Sequence, residues 1–284
     1  MKIAIFSVNI ILMKNFRCVR EIQHGKHYFG EDKGSRMNIP QYLRRIQYDG
    51  STSPSERTLS MLHIAHQRRV PFENLDIHLG RKIILDEDSL FNKIVLQHRG
   101  GFCYELNGSF SGLLRALGFT VTMLSARVVR EDGGFGPEFD HLTLLVEQEK
   151  RWLVDVGFGD SFQAPLLLDS RSEQSDGSAR YRISALDGAL LLERNSNDVW
   201  KAQYTFTLVP HSLAEYSEMC EYHQTSPDSH FTKQRLCTLP TGDGRVTLSG
   251  DSFITTLDGQ KTEVPIRSEA EYVAILKKYF GIQL

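Results

Sequence analysis

The sequence predicts an α+β protein, and three observations carry that prediction. Apolar residues recur at steps of three and four from residue 38 to Leu117, then at steps of two from Phe119 onward. The three-to-four step returns once more in SEAEYVAILKKYFG (268–281). These are the periods of a helix face and a strand face, so a helical first part leads into a β-rich middle and a closing amphipathic helix.

Residues 3–13 (IAIFSVNIILM) form an apolar run after Lys2. It is too short to span a bilayer, and no A-x-A-like cleavage site follows it. The chain is then polar and aperiodic to Arg36. Residues 1–36 therefore read as an appended N-terminal segment outside the core, with Met37 as an alternative start.

In MNIPQYLRRIQYDG, Ile39, Tyr42, Leu43 and Ile46 share a helical face, and Gly50 stops the run. In STSPSERTLSMLHIAHQRR, Ser53 reads as an N-cap, with Pro54 at the first helical position and Glu56 completing a capping box. Leu59, Leu62, His63 and His66 continue its inner face, and VPFENLD (70–76) breaks it. Asp88 or Ser89 starts a further helix with Leu90, Ile94, Val95 and His98 on one side. The last helix of this part follows Cys103: Leu106, Phe110, Leu113, Leu114 and Leu117 line up, and Gly118 closes it.

The strands come next. FTVTMLSARVV, HLTLLVE (141–147) and RWLVDVGFG (151–159) are followed by YRISAL, ALLLERN, VWKAQYTFTLV, RVTLSG and SFITTL, with polar or Gly-rich breaks between them. Short strands so spaced predict an antiparallel barrel or sandwich. In the closing helix, Ala270, Val273, Leu276, Lys277 and Phe280 mark the expected inner face.

Charged residues make up 24% of the chain, the net charge is −2, and no block of like charges occurs. Nucleic acid and anionic membrane therefore have no electrostatic support as partners. The four cysteines (Cys18, Cys103, Cys220, Cys237) form no C-x-x-C pair and read as free thiols in a reducing cytoplasm, with a Cys220–Cys237 bridge as the alternative. No metal is expected, because the histidines are not spaced with cysteines as ligand sets are. His63 and His66 on one helix read as packed or exposed residues rather than ligands.

Chemistry concentrates around Cys103, which sits in RGGFCYELN at the mouth of its helix. Backbone N–H groups and the macrodipole at a helix N-terminus favour a thiolate. HLTLLVE and RWLVDVGFG are separated only by a charged turn around 148–150, which makes them a hairpin. With the turn centred near Glu149, residue 141 faces 157 and residue 143 faces 155. His141 and Asp155 then lie one diagonal step apart on one face, roughly 7–8 Å between backbones. A slip of one residue would put them on opposite faces. Cysteine, imidazole and carboxylate are the parts of an activated nucleophile. Each also has an ordinary structural reading: a Cys at a helix start as a small buried hydrophobe, a His at a strand start as a capped residue, and DVGFGD as a turn.

RGGFCYELN, VPFENLD and WLVDVGFGD, with Arg69–Asn74 and the later TSPDSHF (225–231), resemble the arylamine N-acetyltransferase family from about Met37 to the C-terminus. The resemblance implies a cysteine-protease-like catalytic core in three parts: a helical bundle (37–118), a β-barrel (119–220) and a C-terminal α/β lid (221–284). It implies Cys103 as acyl-carrying nucleophile, His141 as base and Asp155 as its orienter. It places Phe72, Phe102 and Phe158 around the acceptor, and Phe158 and Gly159 at coenzyme A. The EDGGFGPEFD loop lies where relatives contact the cofactor, but its residues match that pattern poorly. The implied reaction is ping-pong transfer from acetyl-CoA to an aromatic amine or hydrazine by a cytoplasmic monomer or homodimer. A papain-like cysteine hydrolase, an amide synthase of the same superfamily and a non-enzymatic binding module are the competing readings.

Overall fold

The computed structural model describes residues 37–196, 198–257 and 259–284; the N-terminal extension expected for 1–36 lies outside the described residues. The helical part comprises α1 (Ile39–Arg45), α2 (Glu56–Arg69), α3 (Leu75–His78), α4 (Glu87–Phe91) and α5 (Cys103–Ala116). α2 does not start at Ser53. Ser55, two residues on, is the cap, its hydroxyl accepting from Thr58 N–H at 3.1 Å, so Pro54 precedes the helix rather than opening it. Likewise Asp86, not Asp88 or Ser89, caps α4, taking Ser89 N–H at 2.8 Å. His98, expected on that helix's inner side, is exposed at φ 55° beyond its end. α5 is buried almost all round, from Cys103 to Leu114, and forms the centre of the main core with Leu59, Leu62, Leu142 and Val154.

Thirteen strands are described, in two antiparallel sheets. The larger sheet contains β2 (Thr120–Val128), β3 (His141–Glu147), β4 (Arg151–Val154), β5 (Leu166–Leu167), β6 (Gln174–Ser175), β7 (Arg180–Leu186), β8 (Ala189–Ser196) and β9 (Val199–His211). Their order is β5-β4-β3-β2-β9-β8-β7-β6. One continuous sheet decides between barrel and sandwich. Its two edge strands meet at a seam where the Gln174 side chain stands in for a strand: its oxygen accepts Leu167 N–H at 2.7 Å, and its nitrogen donates to Leu167 C=O at 3.0 Å. The barrel is nearly closed, and its interior is apolar, with Leu124, Leu153, Phe162, Ile183 and Phe206.

The smaller sheet runs β1 (Phe72–Glu73), β10 (Leu236–Pro240), β11 (Gly244–Ser249), β12 (Ser252–Leu257) and β13 (Gln260–Pro265). Its first strand comes from VPFENLD, so the helical part and the C-terminal part share one sheet. Two helices, α6 (Ser217–Thr225) and α7 (His230–Lys233), connect the sheets. The closing helix α8 (Glu269–Ile275) and the π-helical turn that continues it (Leu276–Phe280) bury Tyr272, Leu276 and Phe280, while Val273 and Lys277 face out. Its inner face therefore follows the four-residue step, not the 270/273/277 line.

A buried charge network holds the approach to Cys103. Arg99 Nη2 and Nε donate to Glu73 Oε1 at 2.8 and 3.0 Å, and Arg99 Nη1 reaches Asp76 at 3.0 Å. Lys93 bridges Asp76 (2.8 Å) and Glu105 (2.7 Å). Breaking such a pair strands the remaining charge in a low dielectric. Arg99→Ala is expected to cost about 3–5 kcal/mol of stability, read as a lower urea midpoint at unchanged slope.

Candidate active site

Cys103 is the first residue of α5, and the chain must pass very close to Pro71 to deliver it. A Cβ at Gly100 would lie 2.0 Å from the Pro71 carbonyl oxygen, so glycine is required there by contact alone. Glu105 reaches back to take Phe102 N–H at 3.1 Å, closing the helix entrance. Burial and the neighbouring Glu73 push its carboxyl up to about 7, against the pull of Lys93.

The β3–β4 ladder pairs Leu144 with Val154 and Glu147 with Arg151. This is the register expected from a turn near Glu149. The ladder stops at Val154, so Asp155 is the first residue beyond the sheet, and His141 opens β3 on the neighbouring strand. His141 Nε2 and Asp155 Oδ2 are 2.7 Å apart, both residues almost fully buried.

Four donors converge on the Asp155 carboxylate. Oδ2 also accepts from Tyr204 OH at 3.0 Å; Oδ1 accepts from Asn107 Nδ2 and Gly157 N–H, both at 2.9 Å. Burial opposes ionisation, but His141, Asn107 and the Gly157 N–H outweigh it and hold Asp155 below the usual carboxylate range. With Nε2 committed to Asp155, the His141 ring has Nδ1 left for a reacting proton.

Cys103 belongs to the same cluster. Leu142 N–H, one residue from His141, favours its thiolate. Asn107, one turn after Cys103 on α5, donates to Leu142 C=O at 2.7 Å and accepts Val156 N–H at 2.9 Å, tying the helix to β3 and to the loop after β4. Burial works against the helix terminus at this thiol. Burial raises the Cys103 thiol well above its ordinary value, with the Leu142 N–H opposing. The helix end alone does not ionise it.

The other expected site residues divide. Phe72, Phe158 and Gly159 line one cleft with Val156, Thr238 and Arg245. Phe158 also lies edge-on to His141, ring centroids 5.2 Å apart. Phe102 is fully buried, packed against Tyr104 (5.0 Å) and Phe231 (5.5 Å). His63 and His66 are both buried; no group of residues able to hold a metal ion occurs among the described residues. Cys103, Cys220 and Cys237 are free and buried, so the Cys220–Cys237 bridge is not formed.

Asn107 and Tyr204 escaped sequence reasoning. Asn107 carried a signal, a polar residue on an apolar helix face four positions after the cysteine; a tyrosine in a strand carried none. Gly157 is a second close approach. A Cβ there would lie 2.9 Å from Cys103 Cα and 2.7 Å from Asn107 Nδ2. Gly157→Ala is therefore expected to push the chain after β4 off the helix and lower stability by about 1–3 kcal/mol, read as a lower urea midpoint.

This geometry can be set beside known proteins. The family model described as N-acetyltransferase matches residues 57–284. The chain is 35% identical to the arylamine N-acetyltransferase of Escherichia coli K12 over 246 residues, covering 85% of this chain and 87% of that one. It belongs to the arylamine N-acetyltransferase family.

Solved structures agree with that membership. The arylamine N-acetyltransferase from Salmonella typhimurium superposes with a TM-score of 0.82 at 31% identity, covering 86% of this chain and 90% of that one. The Mycobacterium marinum arylamine N-acetyltransferase in complex with CoA gives 0.81 at 31% identity, covering 86% and 93%. The chain is thus an acyltransferase of this family, with the family's α+β fold. No helix among the described residues is long and apolar enough to cross a membrane.

Proposed function

We propose that this enzyme moves an acetyl group from acetyl-CoA to an aromatic amine or hydrazine in two half-reactions through a thioester on Cys103. The observation that supports this most strongly is the buried His141–Asp155 pair at 2.7 Å, joined through Asn107 to the helix that Cys103 opens. A buried thiol with a raised pKa does not ionise by itself. It can pass its proton to His141 Nδ1, because Asp155 holds the tautomer and stabilises the resulting imidazolium. The thiolate and imidazolium then form together.

The Cys103 thiolate attacks the thioester carbonyl. The Cys103 S–C bond forms, the donor's S–C bond breaks, and the departing thiolate takes the proton from His141. One thioester replaces another, so the exchange is nearly balanced. In the second half, the amine nitrogen attacks the acetyl-cysteine carbonyl. His141 accepts the nitrogen's proton and the Cys103 sulfur leaves. The first-turn N–H groups of α5, unpaired within the helix, are placed to steady the oxyanion in both halves. The cleft of Phe72, Val156 and Phe158 offers apolar walls to an uncharged arylamine and shields the thioester from water.

The M. marinum relative is solved with CoA, and Phe158 and Gly159 beside Asp155 are the residues here proposed to meet that donor. Arg245 lines the same cleft, donating to Gly159 C=O and paired with Asp160 at 3.3 Å. The test is initial-rate kinetics with acetyl-CoA and aniline. Parallel double-reciprocal lines are expected. Intersecting lines would indicate direct transfer without the thioester, and cleavage of peptide substrates with no acetyl transfer would favour the papain-like hydrolase.

A further inference from the structure

We infer that His63 and Gln67, one turn apart on α2, are positioning residues for the reaction: together they clamp both ends of the loop 155–163 and so fix where the Asp155 carboxylate meets His141. The inference rests on the reading of Cys103, His141 and Asp155 as the reacting set.

The sheet does not hold Asp155. The β3–β4 ladder ends at Leu144–Val154, one residue short, so the Asp155 backbone N–H and C=O need partners from elsewhere. α2 supplies both. His63 Nε2 lies 3.1 Å from the Asp155 carbonyl oxygen and 3.3 Å from its N–H, and Gln67 Nε2 donates to Asp155 C=O at 2.9 Å. The same two side chains hold the loop's other end. His63 Nδ1 donates to Gln163 C=O at 3.0 Å, and the second Gln67 hydrogen goes to Phe162 C=O at 2.9 Å.

The clamp is itself rigid. The His63 ring stacks on Phe162 at 5.8 Å and 8°, and meets Phe110 edge-on at 6.3 Å. Burial holds the ring down to about 4, so near neutral pH it is neutral and carries one ring N–H to donate. Between the clamped ends lie the residues that face the chemistry: Gly157 against Cys103, Phe158 over His141, and Gly159, whose carbonyl accepts from Arg245. His66 supplies an internal control. It is equally buried on the same helix, yet neither ring nitrogen has a partner among the described residues.

The experiment follows alkylation of Cys103 by iodoacetamide against pH, by intact mass, in the parent, Gln67→Leu, His63→Leu and His66→Leu. A clamp that places Asp155 also sets the ease of forming the thiolate–imidazolium pair. In Gln67→Leu and His63→Leu the half-point of alkylation is expected to move up by about one pH unit, with alkylation near neutral pH slowed about tenfold. His66→Leu should track the parent. Half-points unmoved in the clamp variants, with circular dichroism unchanged, would overturn the inference. Gln67→Leu decides the matter should His63→Leu fail to fold. Alkylation needs no acyl donor, so a parent that alkylates normally but takes no acetyl group from acetyl-CoA would refute the functional reading and leave the clamp result legible.

Discussion

Cys103→Ala is expected to lose acetyl transfer by about 10,000-fold or more while remaining as stable as the parent to within about 1 kcal/mol. The two halves of that expectation come from one fact. Burial keeps the resting thiol protonated, so Cys103 is a small neutral group in the apolar centre of α5. Removing its sulfur leaves no charge unpaired; the nearby Leu142 N–H loses one weak acceptor. In the proposed mechanism, removing the nucleophile nevertheless removes what His141 and Asp155 act upon. Cys103→Ser should fare little better, because a buried hydroxyl gives up its proton less readily than a thiol. Turnover is measured per folded molecule, and stability by urea. A Cys103→Ala enzyme with parental turnover would move the chemistry off α5 altogether.

Asp155→Asn is expected to slow acylation about 10,000-fold and, unlike the cysteine change, to lower stability as well. Four donors point at this carboxylate, from His141, Tyr204, Asn107 and Gly157. An amide offers one oxygen and one NH2, so in either orientation its NH2 faces donors. Facing His141, it also imposes the wrong ring tautomer. Each buried donor left without an acceptor costs about 1–3 kcal/mol.

The stability change carries a pH signature. The folded-state pKa of Asp155 lies below the ordinary carboxylate value, so its contribution is present above that ordinary value and is lost as pH falls through the folded one. Parent and variant stabilities should therefore converge in acid and separate toward neutrality. Parallel curves at all pH values would show that Asp155 is not held ionised by its partners.

Much of this site was legible along the chain because it depends on local rules. A two-strand hairpin has one register for a given turn, and the ladder from Leu144–Val154 to Glu147–Arg151 is the one a turn near Glu149 dictates. That places His141 and Asp155 together without knowledge of the rest. The helix after Cys103 was legible from the spacing of Leu106, Phe110 and Leu113.

What stayed hidden crosses long stretches of sequence between ordinary residue types. Tyr204 reaches the Asp155 carboxylate and His63 its backbone, and neither link shows in the spacing of the residues. Burial of the thiol was open as one reading of a Cys at a helix start but not decided, because periodicity shows one apolar face of α5 and not the layers that cover the others. β13 is exposed along its whole length and so has no alternation to read. Ser53 and Ser55 both suit a helix start; only the bond to Thr58 distinguishes them.

The most direct test of the central claim is an intact mass of the protein after incubation with acetyl-CoA alone, followed by peptide mapping. A single acetyl group on Cys103 is expected, absent from Cys103→Ala and discharged when aniline or a hydrazine is added. Parent protein that transfers acetyl to the amine yet shows no acetyl group on Cys103 at any time before the amine is added would contradict the account.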